Sequence, residues 1–329
     1  MVATLLQVLD TILPVFLVAG IGHAFARWGI DRLGRRGRSP AAGDIASGAS
    51  RADATLGVRR ALHALTFHIV GPAFVFTALR GSDLALEAFG MPAAMAALMY
   101  GVLVVVGWAI AGLGRWAPPA RKAAVLALAS KNCGNYGLPV ILFAFGEDGL
   151  VIGTVFMITH LLVHMTLGLS IAAWDREHRV LRRLTNLLRF PYVYAVGLAL
   201  LLRGLGVPVP AAIERPLALI GQMWIPLMLI LLGVELSNIR VAHVWRPAVW
   251  LTAAKLIVPP LVAFGLTAVL GIDGSTRAIL VLQASTPTAV NGLLVARQFD
   301  ARPDLVATTL LLTTLGSLVT MSVLLGLLA

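Results

Sequence analysis

Long apolar runs separated by short polar, basic or Pro/Gly-rich joints dominate the pattern of this chain. A helix rises about 1.5 Å per residue, so roughly 20 apolar residues cross a ~30 Å hydrocarbon core. Runs near that length fall at 5–28, 61–79, 91–114, 121–145, 150–174, 191–206, 211–236, 248–271, 277–297 and 305–329. They predict an all-α membrane protein with ten transmembrane helices. The sixth run is short, and Arg203 lies near its end. The first carries Ala24-Phe25-Ala26, similar to a signal-peptide cleavage site, but no Lys or Arg precedes it, so it reads as a retained membrane helix.

Two runs are interrupted. The fourth contains Lys131-Asn132-Cys133-Gly134-Asn135-Tyr136-Gly137-Leu138-Pro139, and the ninth contains Ser285-Thr286-Pro287-Thr288-Ala289-Val290-Asn291-Gly292. Unwound backbone inside a membrane persists only where protein or a water-filled cavity satisfies its polar groups, so each break is a candidate binding site. The breaks also belong to a repeat. Pro14, Gly20 and Gly29 share the spacing of Pro191, Gly197 and Gly206, and Ala129-Ser130 precedes the first break as Ala284-Ser285 precedes the second. An odd number of crossings separates each unit from its copy, which predicts two inverted five-helix repeats, a transporter architecture. The division is 1–174, with an insert over 29–56 expected to be mobile, then an interfacial linker over 175–190, then 191–329.

Composition agrees. The chain is 59% hydrophobic and 12% charged, with a mean hydropathy of +0.89. The formal net charge of +11 would suit nucleic acid, but 20 of the 26 Lys and Arg residues sit in alternate loops and their flanks, as the positive-inside rule requires of cytoplasmic ones. That bias places both termini outside the cytoplasm, so a nucleic-acid role is not expected; the expected location is a bacterial inner membrane. The basic stretch Arg179–Arg189 is expected to lie along anionic headgroups. One cysteine, Cys133, excludes an intrachain disulfide and reads as a small lining residue.

The chemistry concentrates at the breaks. Pro139 and Pro287 each suit the first turn of a second half-helix, with Ser285 or Thr286 as N-cap of the latter. Two positive helix ends would then converge at mid-membrane, where carboxylates bind. Asn132, Asn135, Ser285, Thr286, Thr288 and Asn291 supply neutral donors and acceptors for a substrate, and Gly134 and Gly137 allow close backbone approach. Lys131 is expected to close the first half-helix of the fourth run and to act as counter-charge or coupling group. Glu235 and Lys255 read as a structural ion pair, as side chains snorkelling to the interface, or as coupling groups, and His160 and His164, four apart on one face, as a hydrogen-bonded interior pair, with pH sensing and then metal binding as the alternatives. No metal-ligand set, cofactor motif or catalytic constellation is present, so an enzyme is not expected.

At these breaks the chain resembles the auxin efflux carrier family, which includes plant PIN-type auxin transporters and bacterial carriers of malonate and malate. Asn132, Gly137 and Pro139 meet the family pattern of the fourth helix. The run from Asn135 to Glu147 is similar to a prokaryotic branch, and Pro287, Ala296–Asp300 and Pro303-Asp304 resemble the ninth-helix region. The resemblance implies the fold of bile acid symporters and sodium/proton antiporters, with helices four and nine crossing. It implies a homodimer built on scaffold helices 1, 2, 6 and 7, and helices 3–5 and 8–10 moving as an elevator. It carries the substrate-contacting Asn to Asn132 and the ninth-helix proline to Pro287. Plant members have Pro where this chain has Lys131, so their coupling is not transferred.

The reading is a secondary transporter of a small carboxylate, with proton or sodium as coupling ion and membrane lipid as surroundings. A cation or proton antiporter on the same architecture, and a membrane sensor that binds without transporting, are the alternatives.

Overall fold

The computed structural model of the chain describes residues 2–29, 57, 60–173, 188–237, 239 and 244–328. The insert expected over 29–56, but for its first residue, and the linker expected over 175–190, but for its last three, lie outside the described residues. Among the described residues every regular element is helical and no strand occurs.

Helix α1 is Val2–Ala24, α2 Arg60–Arg80, α3 Gly90–Leu113, α4 Pro118–Ala129 and α5 Leu138–Val163. There follow α6 Pro191–Gly204, α7 Ala211–Gln222, α8 Trp224–Leu236, α9 Trp245–Val269, α10 Gly274–Ala284, α11 Val290–Gln298 and α12 Pro303–Leu328. Among the described residues, seven helical stretches are long and apolar enough to cross a membrane, and α6 is a shorter apolar helix. One stretch, Pro118–Ala172, has 55 residues. Straight, it would extend roughly 80 Å, far beyond one bilayer. It is folded at the break after Ala129 and again at Gly146, whose φ of 67° breaks the helix inside α5. That left-handed backbone is open to glycine at no steric cost.

Prolines explain the irregular turns. A proline ring removes an N–H and crowds the carbonyl four residues back. Ahead of Pro72 and of Pro139 the helix widens into π-turns at Thr66–Val70 and Cys133–Gly137, each ending two residues before the proline. Such widening is a known way to absorb the misfit. The seventh run, expected as one helix over 211–236, is divided at Met223 into α7 and α8, just ahead of Pro226.

Packing has the polarity of a membrane protein. On α12 the hydroxyls of Thr308, Thr309, Thr313, Thr314 and Ser317 are fully buried, while Leu315, Val319, Val323 and Leu327, a stripe at four-residue spacing, are exposed. The inward hydroxyls of Thr313 and Thr314 donate to the Leu310 carbonyl, and that of Ser317 to Thr314. Helices α1 and α8 approach backbone to backbone. A methyl group at Gly22 would overlap the backbone of Ile230, and one at Gly233 that of Ala19. The charge of Arg203 is absorbed at the end of the short α6, where its guanidinium donates to the carbonyls of Leu79 and Leu84 and lies over the Phe89 ring.

Candidate functional site

The two breaks touch. Helix α4 ends at Ala129, and Ser130 turns the chain into extended backbone. The Asn132 N–H then donates to the Pro287 carbonyl in the other break at 2.9 Å. From the second break the Thr288 hydroxyl donates back to the Ala127 carbonyl at 2.9 Å. Glycines permit this closeness. A Cβ at Gly292 would collide with the Ser130 hydroxyl, and one at Gly137 with the Gln283 amide.

Two buried lysines hold the negative ends of the first half-helices. Lys131 Nζ donates to the Ala284 carbonyl, the last residue of α10, at 2.5 Å. Lys255 Nζ donates to the carbonyls of Leu128 and Ser130 at the end of α4, both at 2.7 Å. Both side chains are buried. A cation at a helix C-terminus is favoured by the dipole and satisfies carbonyls that have no intrahelical donor. Lys131 therefore caps the opposite half-helix instead of closing its own, because the chain has already left the helix at Ser130. Of the alternatives read for Glu235 and Lys255, the ion pair between them does not form. Glu235 lies 2.5 Å from His63 Nε2, whereas Lys255 is committed to α4.

Beside the crossing lies a cavity of about 110 Å³, on the scale of several waters or one small organic acid. One wall is polar: Lys131, Asn132, Gly134 and Asn135 where the chain enters the π-turn, His160 and His164 from the helical stretch beyond, and Ala289, Val290 and Asn291 at the start of α11. The first N–H groups of a helix have no intrahelical acceptor, so both second halves present free donors here. The opposite wall is largely apolar: Phe67, Tyr192, Trp224, Met228 and Leu231, with His63 as its polar member.

Several cavity-lining side chains have a buried polar atom with no hydrogen-bond partner: Asn132 Nδ2, His160 Nδ1, His164 Nε2 and Trp224 Nε1. His160 Nε2 accepts the Lys131 backbone N–H at 3.1 Å, which leaves the proton of the neutral ring on Nδ1. His164 Nδ1 shares a hydrogen bond with the Tyr100 hydroxyl at 3.0 Å. The two histidines are interior and hydrogen-bonded as expected, but through Lys131 and Tyr100. Their own rings lie nearly parallel with centroids 6.3 Å apart. Buried unpaired donors are costly, and the N–H groups of Asn132, His160 and Trp224 on this cavity suit an acceptor.

Half of the residues expected to bind substrate line the cavity: Asn132, Gly134, Asn135 and Asn291. Gly137, Ser285, Thr286 and Thr288 build the crossing behind it. Ser285 does not N-cap the second half-helix; its hydroxyl donates to Val281, and that of Thr286 to Gln283. Helix α11 opens three residues after Pro287, at Val290, with Ala289 as its N-cap. Pro139 likewise follows a turn that is already helical. Cys133 lines the cavity, as read from its size and position. Sequence reasoning missed Phe67, Tyr192, Trp224 and His63. The sole hint was aromatic side chains on runs that also carry helix-bending prolines.

A chain of this hydropathy, all-helical among the described residues and with two interrupted helices meeting at a buried polar cavity, is an integral membrane protein of the transporter class. It belongs to the auxin efflux carrier family: residues 57–325 match the family profile described as membrane transport protein. The chain is similar to an uncharacterized transporter of Methanothermobacter thermautotrophicus, 29% identical over 198 residues, which are 60% of this chain and 64% of that protein. It is also similar to an uncharacterized transporter of Methanocaldococcus jannaschii, 26% identical over 192 residues, 57% of this chain and 62% of that protein. The matched region thus spans less than two thirds of either relative.

Proposed function

We propose that this protein is a secondary transporter of a small organic anion, a mono- or dicarboxylate, held at the crossing of the two interrupted helices. The observation that carries the reading is the cavity at which the N-terminal ends of both second half-helices meet the unpaired donors of Asn132 and His160. A carboxylate there accepts from backbone N–H groups and the Asn132 amide. The Nζ atoms of Lys131, in the polar wall, and of Lys255, behind it, are spent on half-helix carbonyls and not on the ligand.

The mechanism we propose is elevator-type alternating access in ten helices arranged as two inverted repeats, 1–174 and 191–329. The count is supported by the seven long stretches when Pro118–Ala172 is taken as two crossings, α6 as one and the α10–α11 pair as one. The cavity walls divide in the same sense. The polar wall comes from helices assigned to the moving unit, and the apolar wall from α2, α6 and α8 of the scaffold, which offers a smooth surface for a polar unit to slide past. With both termini extracytoplasmic, the cavity lies on the cytoplasmic side, between the inner parts of α2 and α8. A proton or sodium gradient drives the cycle, and the scaffold pairs with a second copy in a homodimer.

In proteoliposomes, labelled malonate or another short organic acid accumulates or exchanges, and Asn132→Ala abolishes this at unchanged protein incorporation. Equal flux through the variant removes Asn132 from the site. Stimulation of cation exchange with no organic-acid flux replaces the reading by an ion antiporter.

A further inference from the structure

A second concavity lies on the outer surface, away from the crossing. Near the C-terminal end of α3 and the N-terminal part of α9, Leu113, Gly114 and Trp116 face Trp250, Ala254 and Ile257 across a groove of about 510 Å³. That is many times the ~30 Å³ that one water occupies in the liquid. Its wall is almost wholly apolar, and Leu113, Trp250 and Ile257 are 87%, 72% and 56% exposed. On an integral membrane protein such a surface faces lipid. Tryptophans at this level are those of a membrane–water boundary, since Trp250 lies only five residues into α9.

Two arginines stand at the watery end of the groove. Arg246 precedes Trp250 by four residues and Ala254 by eight, so all three lie on one stripe of α9. Arg115 lies between the lining residues Gly114 and Trp116 and is exposed. Its backbone has φ of 52°, a conformation glycine adopts freely and arginine only at a cost. The turn closes α3 by a Trp116 N–H bond to Ala111 and an Arg115 N–H bond to Gly112, so arginine occupies the position at which helix ends favour glycine. A costly arginine at the mouth of an apolar groove, with a second one along the facing helix, matches a ligand with a negative head and a long apolar tail.

The geometry points to a binding site for one anionic phospholipid, with an acyl chain lying in the groove between α3 and α9 and its phosphate between Arg115 and Arg246. The small side chains of Ala253 and Ala254 on α9 leave the space for the chain.

Bromine-labelled acyl chains test this directly in nanodiscs of the full protein, because bromine quenches tryptophan at contact. The fluorescence lost in Trp250→Phe isolates the contribution of Trp250. Each basic residue near an anionic headgroup is worth roughly five-fold in affinity. Brominated phosphatidylglycerol therefore quenches the Trp250 share at roughly twenty-fold lower lipid fraction than brominated phosphatidylcholine. The pair Arg115→Ala with Arg246→Ala removes this difference, as does the milder Arg115→Gln with Arg246→Gln. Arg277→Ala, on another helix, leaves it intact. Ala254→Phe fills the groove and lowers quenching by both lipids. Equal quenching by the two lipids in the unaltered protein overturns the proposal, as does a preference that survives both arginine pairs. Shielding of Trp250 from both lipids, with cross-linking between copies through this face, assigns the groove to a second copy and also overturns it.

Discussion

The two breaks meet at one crossing and differ in shape and in what their side chains do. In the second, from Ser285 to Ala289, the polar side chains are occupied: the hydroxyls of Ser285 and Thr286 donate to carbonyls of their own half-helix, and that of Thr288 donates to α4. In the first, from Ser130 to Gly137, the Ser130 hydroxyl and the Lys131 ammonium are likewise committed to carbonyls, but Asn132 keeps an unpaired amide on the cavity. One break is a self-satisfied brace and the other an unfinished site. Both second halves present backbone N–H groups to the cavity, while the unpaired side-chain amide is that of the first break.

Substitutions that tell a brace from a site sharpen this contrast. The largest effect is expected at Asn132. Asn132→Ala weakens binding of the transported acid roughly ten- to hundred-fold, the range for losing a hydrogen bond to a charged group, with little change in thermal stability. A calorimetric titration beside a melting curve separates the two readouts. Next come the lysine caps, which act on stability. Lys255 serves two buried carbonyls and Lys131 one, so Lys255→Ala is expected to cost more than Lys131→Ala, at about 1–3 kcal/mol for each carbonyl left unpaired. The reverse order in chemical denaturation contradicts the capping geometry.

Smaller still is the brace. Thr288→Ala loses about 1 kcal/mol of stability and leaves the affinity for the acid unchanged. A loss of affinity without a loss of stability would move Thr288 from the brace to the site. Smallest is Pro287→Ala. The Pro287 carbonyl, which accepts from Asn132, survives the substitution, so the change is limited to the about 0.4–1 kcal/mol that proline contributes through the unfolded chain. Loss of transport in a stably folded Pro287→Ala would mean that the ring itself, and not the crossing it sits in, shapes the site.

Much of this was legible in the sequence because membrane helices tolerate few polar residues. The clusters at Lys131–Gly137 and Ser285–Asn291 therefore stood out against their surroundings. The direction in which each hydroxyl points was not legible. Ser and Thr bond either forward as caps or back to carbonyls three or four residues earlier, and at Ser285 and Thr286 the backward bond prevails, moving the helix start to Val290. The partner of Lys255 lies more than a hundred residues away, so no local pattern announces it. The kink at Met223 was visible only as Pro226 within an otherwise continuous apolar run. Aromatic residues of the apolar wall, such as Trp224 and Tyr192, look in sequence like any others facing lipid or core.

The most direct test of a carboxylate site at the first break is a thermal-shift titration of the purified protein with a panel of organic acids, run in parallel on Asn132→Ala and Thr288→Ala. A ligand at a hundred-fold excess over its Kd stabilises the protein by about 2.7 kcal/mol. At least one acid is predicted to raise the melting temperature of the unaltered protein and of Thr288→Ala by the same increment, and that of Asn132→Ala by roughly half that increment or less. An acid that stabilises Asn132→Ala as strongly as the unaltered protein, or a panel in which no acid stabilises any of the three, contradicts the account.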